Sequence, residues 1–345
     1  MNKENIVLVS DPNLDPDDLI SYLLISHYVK SGDIALKAII TTLGDKKTRV
    51  KRAKFAIGVF KSLDLDIPVA YGDDYTIENL DKAYNDLGYL EGNSVKAVEF
   101  EDLAVNPLIE ANNLLYKTFN DAEDKSLSVV LNAGMYDISE FIKKHKSLFL
   151  QKIKKISVMG GIDFDKVKDG CFLPCYKSYN NATCYPAAIN IFKTAQENNI
   201  PLYITPKETI YSVGLSARYY DEFETDNRLA GKFLFDVRKD ALKSMWKAVK
   251  DGLYPHRDEK WFFDYFTFLD YENDRDKINK IREDFNLVWE NGLKINLYDP
   301  IAVFSILDNI NENSIICEKY KDKEIYISKV NNREILRKNI YKSTL

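Results

Sequence analysis

Short apolar blocks alternate with longer amphipathic ones from the start of the chain to about residue 206. The block IVLVS reads as a buried strand. DDLISYLLISHYVKSG reads as a helix whose acidic first turn complements the helix dipole. ALKAIITTLG predicts a second strand, TRVKRAKFAIGVFKSL a helix and IPVAYGD a third strand. The segment from Glu101 to Phe119 reads as a helix, followed by the strand LSVVLNAG and the helix ISEFIKKHKSLFL. The strand IKKISVMGG, the helix PAAINIFKTAQENN and the strand IPLYITP close the series. Strands and helices alternating at this pace predict an α/β fold, with a mostly parallel central sheet flanked by helices on both faces. Ligands of such sheets sit beyond the carboxyl ends of the strands.

The pattern changes near Ser212, after which it is mainly helical, charged and aromatic-rich to about Asn296. NLYDPIAVFSIL then returns to the earlier character, and EIYISKVNNREIL reads as a final hairpin. The expectation is one domain over residues 1–345, with residues 217–295 as a helical cap inserted within it. No internal repeat or low-complexity linker interrupts the chain.

Composition narrows the function classes. Hydrophobic residues make up 45% of the 345 and charged residues 29%, enough for a large core. A net charge of −5 gives no basic footprint for nucleic acid. No apolar run approaches the length of a membrane span, and the apolar part of MNKENIVLVS is too short for a signal peptide. Four cysteines do not form a disulfide framework in a chain of this length. Cys171, Cys175 and Cys184 match no standard zinc spacing and have no histidine near them in sequence. The reading is a cytoplasmic protein with reduced thiols and no nucleic-acid or membrane partner.

The chemistry concentrates in VSDPNLDPDDLIS, residues 9–21, where a strand gives way to a helix. Helix capping accounts for Asp17 and Asp18 but not for Asp11 and Asp15 at a strand's carboxyl end. An EF-hand fails, because Pro16 and Tyr22 stand where its turn glycine and last glutamate belong. Carboxylates at a strand end can instead hold a hard cation with a distant carboxylate and a backbone carbonyl. Asp299, in NLYDPIAVF, also opens a helix after a strand end and is the distant candidate.

Together these motifs resemble the nucleoside hydrolases of the inosine–uridine-preferring type. Their opening loop, Asp-x-Asp-Pro-Gly-x-Asp-Asp, is similar to Asp11, Asn13, Asp17 and Asp18 here. IITTLGD, IPVAYGDDY, VVLNAGMYDISEFI with IKKISVMGG, SYNNATCYPAA and LYDPIAV resemble its later motifs, in the correct order from residue 6 to about 307. The resemblance implies a calcium ion that binds the ribose 2′ and 3′ hydroxyls and the attacking water. It implies Asp11, Asn13, Asp18, Asp299 and the carbonyl of Ala133 as metal ligands. It implies Asp17, Asp45 and Asn180 as ribose contacts. The implied reaction is hydrolysis of an N-ribosidic bond in a nucleoside or related small-molecule N-riboside, through an oxocarbenium-like transition state. Family members are commonly homo-oligomers.

Two departures bear on chemistry. Asn13 stands where the family has an aspartate that is both ligand and general base, and an amide cannot take a proton at neutral pH. Asp15, Asp11 and Asp17 are the neighbouring carboxylates that can replace it. Tyr298 stands where many members have a histidine that protonates the leaving base, and its ordinary pKa near 10 makes it a weaker acid. His256, in the cap, is a substitute, and Trp261 is the cap aromatic best suited to stack on a nucleobase. Three readings remain open: a calcium-dependent N-ribohydrolase, a ribose-binding homologue that has lost its base, and a hydrolase of larger, nucleotide-derived N-ribosides that would need cap cations such as Arg257, Lys260 or Arg275.

Overall fold

A computed structural model of the chain describes residues 3–12, 16–73, 98–104, 108–253, 257–307 and 314–345. In chain order the first elements are β1 (Glu4–Ser10), α1 (Asp17–Ser31), β2 (Ile34–Thr41), α2 (Lys46–Ser62) and β3 (Val69–Tyr71). Then come α3 (Val98–Leu103), β4 (Ile109–Glu110), α4 (Ala111–Asn120), β5 (Leu127–Leu131), α5 (Tyr136–Lys152) and β6 (Ile153–Met159). A hairpin of β7 (Ile162–Lys168) and β8 (Cys171–Pro174) follows, then α6 (Tyr179–Ala182), α7 (Tyr185–Glu197), β9 (Leu202–Thr205) and α8 (Lys207–Val213).

The strands order as β12-β13-β9-β6-β5-β1-β2-β3-β4, with β12 (Ile315–Lys319) and β13 (Ile325–Val330) coming from the last part of the chain. Every pairing in this sheet is parallel except β12 with β13. Residues of β1, β5 and β6 are almost all fully buried, as continuous Val/Ile/Leu runs require when helices cover both faces. One face carries α4, α5 and α7; the other carries α1, α2 and the cap, giving two apolar layers about the sheet.

α1 is buried on nearly all sides, not along one stripe, because it packs between the sheet, α2 and two helices near the end of the chain, α14 (Tyr298–Phe304) and α15 (Arg333–Thr344). α2 meets α3 at Gly58, where a Cβ would fall 2.0 Å from the carbonyl oxygen of Phe100, so a side chain there would part the two helices.

The mainly helical segment expected to form the cap begins where Gly214 takes a left-handed φ of 58°, a turn that favours glycine. β10 (Leu215–Ser216) leads into a short 3₁₀ helix at Ala217–Phe223. Among the described residues five helices follow: α9 (Leu229–Val237), α10 (Asp240–Lys250), α11 (Glu259–Phe266), α12 (Arg275–Ile281) and α13 (Phe285–Glu290). β11 (Lys294–Ile295) then pairs antiparallel with β10, so the two ends of the helical segment lie side by side.

Three sequence expectations change. The expected helix from Glu101 to Phe119 is two helices separated by the edge strand β4. The β7–β8 hairpin was not expected, because Asp and Lys interrupt the apolar positions of β7 and β8 is only four residues long. The final hairpin lies earlier than expected: EIYISKV supplies its second strand, and REIL opens α15, whose N-cap Asn332 accepts from the Ile335 N–H at 3.0 Å. No described helix is long and apolar enough to cross a membrane.

Candidate active site

Four neighbouring strands end at one pocket. Asp11 follows β1, Asn132 follows β5, Met159 ends β6, and α8 after β9 contributes Lys207 and Tyr211. α1 adds Asp17 and Asp18, and α14 adds Tyr298 and Asp299. The cap closes the other side with Arg238, Met245, Arg257, Trp261 and Phe266. The cavity measures about 230 Å³.

At its floor, carboxylate oxygens of Asp17, Asp18 and Asp299 all lie within 4.8 Å of one another, and all three residues are buried. Each stands in the first turn of its helix, α1 or α14, whose positive end offsets part of the charge. The offset is incomplete. Burial first, then the charges of Asp17, Asp18 and Asp11, hold the Asp299 carboxyl well above the usual carboxylate range. Burial and the fields of Asp18, Asp299 and Asp11 likewise push the Tyr22 hydroxyl up, and Tyr22 lies 2.5 Å from the Ser10 hydroxyl.

Asn132 borders this cluster. Its Nδ2 donates to the Asp299 carbonyl at 3.3 Å, while its Oδ1 is buried with no protein partner. A buried acceptor left unmatched beside three carboxylates is a donor set of oxygens alone, which suits a hard divalent cation. Asn180 stands above it. Its Nδ2 donates to the carbonyls of Asn132 at 2.8 Å and Met159 at 3.1 Å, so its two amide hydrogens are committed to the strand ends. Oδ1 is the atom it can offer a ligand, as an acceptor.

Among solved structures, the type III effector protein XopQ complexed with adenosine diphosphate ribose matches with a TM-score of 0.82 and 28% identity, over 99% of this chain and 92% of that one. The inosine-uridine preferring nucleoside hydrolase from Bacillus anthracis matches at 0.62 and 12% identity, over 99% of both chains. The purine-preferring ribonucleoside hydrolase from Gardnerella vaginalis matches at 0.61 and 16%, over 99% of this chain and 98% of that one. This chain has the nucleoside hydrolase fold. Neither a protein-family model nor a curated protein sequence matches it.

On this nucleoside hydrolase scaffold the pocket gathers Asp11, Asp17, Asp18, Asn180, Trp261, Tyr298 and Asp299 of the residues singled out from the sequence. Asn13, Asp15 and His256 lie outside the described residues. Ala133 is fully buried and is not part of the pocket lining. Nor is Asp45, which caps α2 by accepting from the Thr48 N–H at 2.7 Å; its hydrogen bonds to Thr48 lower its pKa. Asp45→Ala is therefore expected to lower stability by about 1 kcal/mol, read as a shift in the urea midpoint. Of the cap cations, Arg257 reaches the pocket and stacks over Trp261 at 5.0 Å. Lys260 instead pairs with Asp264 at 2.9 Å and Arg275 with Glu272 at 3.4 Å.

Asn132, Tyr211, Lys177, Lys207 and Arg238 line the pocket without having been picked out. Asn132 had a signal in LNAG, a polar residue at the end of a buried strand. The others sit in segments whose sequence shows no more than helix or loop.

Proposed function

We propose that the chain is a calcium-dependent N-ribohydrolase, acting on N-ribosides that include 5′-phosphorylated ones. The observation that carries this is the buried Asp17–Asp18–Asp299 cluster with the unmatched Oδ1 of Asn132, at the strand-end floor of a pocket large enough for a sugar. These four residues would hold the cation, which when bound would engage the ribose diol and polarise the attacking water. Asp11 is the pocket carboxylate outside that cluster and takes the role of general base, accepting the water's proton as the C1′–N bond opens. Asn180 accepts a hydrogen bond from a ribose hydroxyl and so orients the sugar. Trp261 and Phe266 supply apolar surface for the base.

Charge runs the opposite way around the rest of the lining, where Lys177, Lys207, Arg238 and Arg257 stand. Arg238 is also held by Asp221 at 3.2 Å and stacked on Phe235. An acidic floor and a basic wall in one pocket fit a ribose that carries phosphate, and the ADP-ribose bound to XopQ supports the same class.

The test is ribose release from inosine, adenosine, uridine and their 5′-monophosphates, with calcium and with chelator. Calcium-dependent release supports the reading. Calcium and ribose binding without release from any of them would make the chain a binding homologue. Lys207→Met is expected to raise KM for the 5′-phosphates about tenfold relative to the parent nucleosides, the size of one partly solvated charge-assisted hydrogen bond.

A further inference from the structure

Cleavage of an N-riboside leaves an electron pair on the departing nitrogen, which needs a proton. Tyr298 and His256 were the sequence's candidates for that task, and Tyr298 does not stand alone in the pocket. Tyr211, on α8, lines the same pocket and is hydrogen-bonded to Tyr298, with their ring centroids 6.5 Å apart. Tyr265 of α11 also packs against the Tyr211 ring, with centroids 4.5 Å apart. α8 belongs to the body and α11 to the cap, so Tyr211 sits where the two meet. The positive charge of Arg257 acts on its hydroxyl across the pocket.

Resting on the N-ribohydrolase reading, we propose that Tyr211 is the leaving-group proton donor, with Tyr298 orienting its hydroxyl. Burial raises the Tyr211 pKa, and the Tyr298 hydrogen bond and Arg257 oppose that rise. The hydroxyl therefore stays protonated in the resting pocket, as a donor must. In the reaction the C1′–N bond breaks and its electron pair goes to the base nitrogen, which takes the Tyr211 proton. Water forms the new C1′–O bond and gives its proton to Asp11. The tyrosinate left behind keeps its hydrogen bond from Tyr298 and its attraction to Arg257, and solvent reprotonates it. The sum is N-riboside plus water giving ribose plus protonated base, with no further reactant.

Tyr211→Phe keeps the ring, and with it the packing against Tyr265, and removes only the hydroxyl. The experiment compares wild type and Tyr211→Phe on inosine, adenosine, uridine and their 5′-monophosphates against 4-nitrophenyl β-D-ribofuranoside, whose leaving group needs no proton. The expected result is a kcat loss at least 100-fold greater on the N-ribosides than on the nitrophenyl riboside, with a steeper dependence of rate on leaving-group pKa across substituted phenyl ribosides. Equal losses on both substrate types, or none on either, overturn the assignment. Wild-type turnover of the nitrophenyl riboside alone also overturns it, since an enzyme with a leaving-group donor cleaves poorer leaving groups too. No wild-type turnover of any riboside overturns the hydrolase reading and this assignment with it.

Discussion

Asp299→Asn is expected to abolish calcium-dependent ribose release, by about 10³-fold or more, while making the calcium-free protein more stable. The two effects share one cause. Asp17, Asp18 and Asp299 crowd three carboxylates into a buried space, and Asp299 carries the cost as a strongly raised pKa. An amide of nearly the same shape removes one of those charges and relieves the repulsion. It also removes a charged ligand, and a Lewis acid worth several kcal/mol of transition-state stabilisation corresponds to roughly three decades of rate. The measurement is a pair of thermal melts, with calcium and with chelator, beside ribose release. Wild type should gain several degrees on calcium addition, as binding to the folded state alone requires. The variant should start higher and gain nothing. A variant that melts lower than wild type in chelator, or that still responds to calcium, would count against a cation on this cluster.

Asp11→Asn is expected to separate binding from chemistry. Asp11 lines the pocket but stands outside the three-carboxylate cluster. Loss of a general base costs roughly 10² to 10⁴ in rate. kcat should fall by that amount, while the calcium-induced rise in melting temperature stays close to that of wild type. The low-pH limb of the kcat profile should also disappear, because it reports the base that has been removed. If Asp11→Asn loses calcium stabilisation in step with activity, Asp11 is a ligand and the base lies elsewhere in the opening loop.

Much of the fold, and the place of the pocket within it, was legible beforehand. The α/β alternation gave the sheet, because its strands are buried on both faces and read as unbroken apolar runs. The acidic loop and the distant Asp299 stood out because carboxylates at buried strand ends have no packing purpose. The pocket wall was harder to see. Tyr211, Lys207 and Arg238 reach the pocket through the placement of α8 and α9, which tertiary packing decides and local pattern does not encode. Asn132 was visible as a polar residue in LNAG, yet its unmatched oxygen depends on where Asp299 arrives from 167 residues away. The resemblance pointed to Asp45 for the ribose, but a short Asp-x-x-Thr spacing at a helix start is satisfied within the helix itself.

The short β10–β11 ladder has a wider consequence. The chain leaves the body and returns to it at adjacent points, so the segment between is tethered side by side at its two ends. Its aromatic side chains nevertheless share one apolar layer with α1 and α2, Phe233 packing on Phe55 and Phe100. Exchanging residues 217–293 between such proteins would therefore have to carry the matching face of the body with it.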